Sequence, residues 1–301
     1  LSLHYHTLRD YSRELGIEWV PMDEKRTHRV IRDSKAYALG LKGPLDVLRL
    51  KVLSWRSRLR FLWFLVRLMV HKKQGDFFNL STTSAELDFD DANHYLRQEI
   101  GDEAVDYIAD PFTATLHFYL STEVSTAMLL TLLQSMVGNK EFSAQYPKGG
   151  VQAIPDALAR KLNVQKGVHI ITVVSASGSL ASNLGSEARL PDGPCVVGIS
   201  DGQEEHFDAV IFACPAPAVK AILTHPTQAQ TDLLESVGYS STITLSFKVP
   251  ANLFADSTNC IYVPHVENKI ISSCIFEARK GSDLVKQGST LFNVYLHDQA
   301  A

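Results

Sequence analysis

The sequence predicts a mixed chain of α+β to α/β class, and three observations predict it. Up to about residue 138 the apolar residues recur at helical spacing. From Gly149 a glycine pair opens a helix, followed by a strand, a hairpin and a further strand, as in an α/β unit. Beyond residue 226 short strands alternate with turn residues. We therefore expect a helix-rich segment over 1–145, an α/β unit over 146–225 and closing strands over 226–301. The length of 301 residues suits one large or two medium domains.

Leu3, Leu8, Tyr11 and Leu15 predict a first helix over 2–16, stopped by Gly16. A short extended piece covers 18–21 and a strand 35–42. Pro44 marks a helix start, because its missing N–H costs nothing there. The segment from Trp55 to Val70 is helical, very apolar and flanked by bases. It admits three readings: a core helix edged by arginine stems, a membrane-facing helix drawn to anionic lipid, or a subunit interface. The acidic run Asp88, Asp90, Asp91 reads as a solvated helix start. A second helix begins at Gly101 and is ended or interrupted by Pro111, and Ser121 opens a third. After Gly149-Gly150 a helix over 151–162 has its apolar face at Val151, Ile154, Leu158 and Leu162. Strands are expected over 168–174, 195–199 and 207–212, with a polar loop through Gly178 and Gly185 and a turn at Asp201-Gly202. A helix over 216–223 comes after Pro215. The last strands are expected at 242–247, 259–263, 270–276 and 291–296.

Composition excludes several classes. A net charge of -4 makes the whole chain a poor nucleic-acid binder. No apolar run reaches the length of a spanning helix. The four cysteines, Cys195, Cys214, Cys260 and Cys274, lack any CxxC spacing and read as buried thiols of a reducing compartment. A cytoplasmic protein is expected, with peripheral membrane contact through 55–70 as the functional reading of that helix. The chain opens on Leu1 rather than Met, and a strand runs almost to Ala301, so both ends are expected to continue.

Most chemical motifs are missing. There is no GxGxxG, P-loop or HExxH, and Gly138-Asn139-Lys140 lacks the glycine spacing of a nucleotide loop. His4 and His6 have no further partner at metal-ligand spacing. Ser125, Ser135 and Ser175 lack the glycines of a nucleophile elbow. Cys214 reads as a core thiol beside Pro215. No catalytic residue and no metal site emerge. There remains the unit from Gly149 to Pro215, where a glycine pair permits close backbone approach to a ligand and apolar strands could line a flat ring.

That unit carries a resemblance. Tyr146-Pro-Lys-Gly-Gly-Val-Gln-Ala-Ile-Pro-Asp-Ala-Leu-Ala159 resembles the Pro-x-Gly-Gly stretch of the flavin-containing amine oxidase and protoporphyrinogen oxidase superfamily. The strand from Gly167, the Asp201-Gly202 turn and Phe207-Asp-Ala-Val-Ile-Phe-Ala-Cys-Pro215 resemble the next strand, turn and return strand of that superfamily. The resemblance is good over about 80–225 and rests elsewhere on element order.

It implies an incomplete FAD-binding, Rossmann-like domain beside a helix-rich substrate domain that contains a mixed sheet. It implies that the backbone of Val174 clamps the adenine, that Ala213 and Pro215 pass close to the cofactor, and that Gly149 and Gly150 shape the entry to the helix behind it. The glycine-rich loop that would hold the pyrophosphate is not in these residues. The expectation is therefore an FAD-dependent oxidoreductase, acting on an apolar or amine small molecule, present as a part that alone binds FAD poorly or not at all. The alternative is a non-enzymatic scaffold or partner-binding protein derived from a flavoprotein. The substrate and the oligomeric state are not set by the sequence.

Overall fold

A six-stranded mixed sheet with helices on one side dominates the computed structural model, which describes residues 6–22, 27–40, 44–70, 88, 91–136, 145–174, 195–251, 257–281 and 288–300. The chain divides into two units. One comprises Leu1–Lys161 with Ser240–Ala301, the other Leu162–Tyr239. Both boundaries fall later along the chain than the expected 146 and 226.

In the larger unit, α1 (His6–Glu14) ends at Gly16, whose positive φ lets Ile17 N–H reach back to the Ser12 carbonyl at 2.8 Å. His6 opens this helix, and His4 lies outside the described residues. Strand β1 (Trp19–Pro21) pairs antiparallel with β4 (Gln145–Pro147). Lys148 extends that pairing, donating its N–H to the Glu18 carbonyl and its Nζ to the Glu18 carboxylate. Past the glycine pair, α6 (Ala153–Lys161) ties Lys161 Nζ to the Glu14 carbonyl. These links hold 145–161 in the larger unit.

The main sheet runs β3 (Lys35–Leu39), β2 (Thr27–Arg32), β10 (Thr258–Tyr262), β11 (Ile271–Phe276), β12 (Ser289–Leu296), β9 (Thr244–Pro250). Only the β2–β10 pair is parallel. Strand β2 was not expected. Its apolar positions are diluted by His28, Arg29 and Arg32, and its hairpin turn is Asp33-Ser34, both at positive φ. Alternation sends Val30, Cys260 and Tyr262 into the helical core.

Pro44–Arg49 is a 3₁₀ turn rather than a full helix. Helix α2 (Trp55–Val70) buries Phe61, Phe64 and Leu65 in the core. Helix α3 (Ala92–Ile100) starts at Asp91, whose Oδ1 accepts from His94 N–H at 2.8 Å. Asp88 accepts from Ser125 Oγ, and Asp90 lies outside the described residues. Pro111 does not end the next helix, α4, which covers 102–117. A wide π turn over Val105–Ala109 precedes it. That turn frees the chain from the bond a proline cannot donate and from the clash its ring would make one turn back. The Asp110–His117 end of α4 packs on β11 and β10. Helix α5 (Thr126–Met136) completes the core with Leu129 and Leu130.

The smaller unit is a four-stranded sheet, β7 (Glu204–Phe207), β6 (Cys195–Ile199), β5 (Ile170–Val174), β8 (Leu223–Thr224), with β5 and β8 parallel. Helix α7 (Ala216–Ile222) packs on β5 and α8 (Gln228–Ser236) on α7. Helix α8 was not foreseen, though Thr227 and Gln230 form its capping box. The strand expected at 207–212 is displaced. Pairing ends at Phe207, and 208–213 runs on without a strand partner among the described residues. Residues 138–140, 175, 178 and 185 lie outside the described residues.

Candidate functional site

The five residues singled out from the sequence fall into the two units. Val174 ends β5, half-buried, with its register neighbours at Val196 on β6 and Thr224 on β8. Ala213 closes the unpaired run and Pro215 lies just past it; both are exposed, as is Cys214 between them. The expectation of a core thiol at Cys214 is therefore corrected: no apolar layer of the described residues covers this stretch, and Ile211 is 91% exposed. Cys260 is buried, and Cys274 and Cys195 are half-buried; Cys260 and Cys274 are neighbours across β10 and β11. Burial pushes their pKa values up to about 12 and about 11, so neither is a nucleophile at neutral pH.

Gly149 and Gly150 belong to the larger unit, with φ of +84° and +88°. Two successive left-handed positions need glycine. The turn closes with Gly150 N–H on the Pro147 carbonyl at 2.8 Å and leads into α6. The expected apolar face of that helix is also corrected. Ile154 and Ala157 are buried, while Val151, Leu158 and Leu162 are exposed.

Gly150 lines a cavity of about 350 Å³, wholly within the larger unit. Met22, Pro147, Val151 and Leu291 form its apolar wall, and Gln145, Glu277, Lys280 and Asn293 its polar one. Tyr146 joins them with its ring against Gly281, where a Cβ would overlap it. Strand β12 places Leu291 and Asn293 on one side of the sheet, two residues apart. The turn after β11 places Glu277 and Lys280. Lys280 Nζ and Glu277 are 2.8 Å apart, and Asn293 Nδ2 donates to Glu277 Oε1 at 3.0 Å. That donation fixes which way the amide points. Asn293 is only 8% exposed, and its Oδ1 has no hydrogen-bond partner among the described residues. A buried acceptor left unmet costs about 1–3 kcal/mol. The cavity therefore offers an apolar wall, a self-neutralised ion pair and the amide side chains of Gln145 and Asn293.

Sequence reading missed Glu277, Lys280 and Asn293. They come from the closing strand region, and only the β11–β12 pairing brings them to the glycine turn. Among the described residues no group of three or more His, Cys, Asp or Glu could hold a metal ion. No described helix is long and apolar enough to cross a membrane.

An FAD site can be tested against the smaller unit. The exposed small residues Ala213 and Pro215 fit close approach of a flat ring. The described residues fit the pyrophosphate less well: Lys220, on α7, is paired with Glu235. The described residues of this unit thus leave room for a flat ring at Ala213 and Pro215.

The fold is shared with proteins of known structure. It superposes on a triple mutant of putrescine oxidase with a TM-score of 0.73 at 12% identity, covering 100% of this chain and 64% of that one. A protoporphyrinogen oxidase-like protein of Exiguobacterium sp. 255-15 gives a TM-score of 0.67 at 15% identity, with 98% and 64% covered. An oxidoreductase of Methanosarcina mazei gives 0.67 at 14%, with 96% and 64% covered. The chain thus spans less than two thirds of the length of these structures. No curated protein sequence matches it. The family model described as flavin containing amine oxidoreductase matches residues 1–292, and the chain belongs to that family.

Proposed function

We propose that these residues are the greater part of an FAD-dependent oxidoreductase that oxidises a small apolar amine. The family match and the shared fold support the oxidoreductase class. In the complete protein Val174, Ala213 and Pro215 would meet the adenine side of FAD, and the pyrophosphate would be held by residues beyond those described. Bound FAD supplies a two-electron acceptor, while the protein supplies binding and orientation.

The substrate class rests on one observation, a cavity whose lining is an apolar wall, an internally neutralised ion pair and the amides of Gln145 and Asn293. Such a site suits an apolar body carrying one uncharged N–H donor. The ion pair of Glu277 and Lys280 leaves no net fixed charge to select a permanently charged ligand. A putrescine oxidase of the same fold has been solved bound to putrescine, an amine.

The test uses the complete reading frame. Purified protein should carry a flavin absorbance band, and an apolar amine added without oxygen should bleach it. Asn293→Leu should raise KM about tenfold with kcat little changed, the signature of lost uniform binding. The 301 residues alone should carry no flavin at near-unit stoichiometry. A complete protein without flavin would sink the oxidoreductase reading. An Asn293→Leu variant with unaltered KM would sink the substrate assignment alone.

A further inference from the structure

Helix α2 is apolar on two opposite faces. At 100° per residue, Phe61, Phe64 and Leu65 share the side that enters the core. Trp55, Leu59, Trp63 and Val70 share the other side and are exposed, the two tryptophans at 58% and 63%. A helix that is apolar all round is normally covered all round. Contiguous exposed apolar surface of this kind marks an interaction site.

We propose that this outer face docks the protein onto anionic membrane, with α2 lying in the plane of the interface. The helix is 16 residues, about 24 Å long, against a hydrocarbon core of about 30 Å. Its inner face is locked in protein, so it cannot turn both sides to lipid. Arg58 donates to the Leu53 and Leu48 carbonyls, Arg60 to the Glu99 carbonyl, and Arg67 pairs with the Glu99 carboxylate at 2.7 Å. The apolar stripe is thus held in place before it meets a partner.

Charge selects that partner. Between residues 47 and 75 the sequence has eight bases and no acid. Arg56 borders the exposed stripe on the helix, and Arg49 and Lys51 are exposed just before it. Arg49 has Asp46 only at 3.8 Å. Tryptophan rings favour the headgroup level, and bases beside them favour anionic lipid. A second copy suits the face poorly. A two-fold contact through this stripe would set one copy's arginines against the other's.

The experiment is flotation of the protein with vesicles of phosphatidylcholine alone or mixed with phosphatidylserine, with tryptophan emission recorded in parallel. Flotation is expected with the anionic vesicles, weakened by salt, together with a blue shift of emission. Arg56→Glu should weaken binding at least fivefold, since each base near an anionic surface contributes about fivefold. Trp55→Gln and Trp63→Gln should each weaken it about tenfold and leave the thermal melt unchanged, because neither ring is in the core. Absence of flotation on anionic vesicles would overturn the proposal. So would undiminished flotation of the Trp55→Gln, Trp63→Gln double variant, or a dimer in solution that this variant dissolves while vesicles remain unbound.

Discussion

His297 shows how a single buried side chain can set a pH limit. It is 3% exposed, edge-on to His265 at 4.9 Å between ring centroids, and its Nε2 has no partner among the described residues. Burial above all, then the neighbouring His265, lowers its pKa from 6.5 to about 4, against backbone bonds at Asn268 and Ile271 that raise it. Between those values the unfolded chain binds the proton and the folded one does not. Stability is therefore full above about 6.5 and is lost as pH falls toward 4. A series of Tm measurements should decline across that window, and His297→Gln should flatten the decline; an identical slope in the variant would refute the assignment. Glu103 behaves oppositely. Burial pushes its carboxyl up, but bonds from Arg32 and Ser54 outweigh it and hold the pKa at about 2. Arg32 also lies 4.5 Å over the Tyr107 ring, so this carboxylate joins β2, α2 and α4. Neither residue could be recognised from sequence, because each draws its character from strands or helices far along the chain.

Among the elements, the α3–α4 junction turns on one glycine. Gly101 has φ +83° and ψ 161°, a region closed to other residues. A Cβ there would also meet the Arg60 guanidinium at 3.1 Å, and Arg60 holds the last carbonyls of α3. Gly101→Ala should cost about 2 kcal/mol in chemical denaturation, and a loss below about half of that would count against the strain. That a helix begins after Gly101 was legible, as were the Asp91 cap, helix α2 and strands β5, β6, β11 and β12, since each carries a local signal. The π turn before Pro111 was not, because a wide turn leaves no mark in composition. Strand β2 was hidden by its bases. The strand expected at 207–212 had the right residues and, past Phe207, no neighbour to pair with among the described residues, and a strand is a property of two segments. The same holds for the cavity: Gly150 was foreseen, whereas Glu277 and Asn293 reach it only through register.

At the scale of the whole molecule the two units are unequally supported. The larger one has a continuous core from Val30 through Phe61 and Ile108 to Tyr262. Among the described residues of the smaller one, Val173, Val197, Ile199, Ala216 and Val219 are the buried apolar residues, while Ile171, Phe207 and Ile211 are exposed. A unit of that size with so little enclosed surface is marginal. Hydrogen exchange should show weaker protection in β5, β6 and β7 than in β10, β11 and β12; equal protection would contradict this account.

The stretch from Asp208 to Ala213 carries one more implication. Its backbone N–H and C=O groups have no strand partner among the described residues, next to a nearly bare isoleucine. Such an edge is a template for any extended peptide. At high concentration it would zip onto its counterpart in another molecule, and precipitation during handling would begin there. A lysine at position 211 would blunt that edge without touching either core.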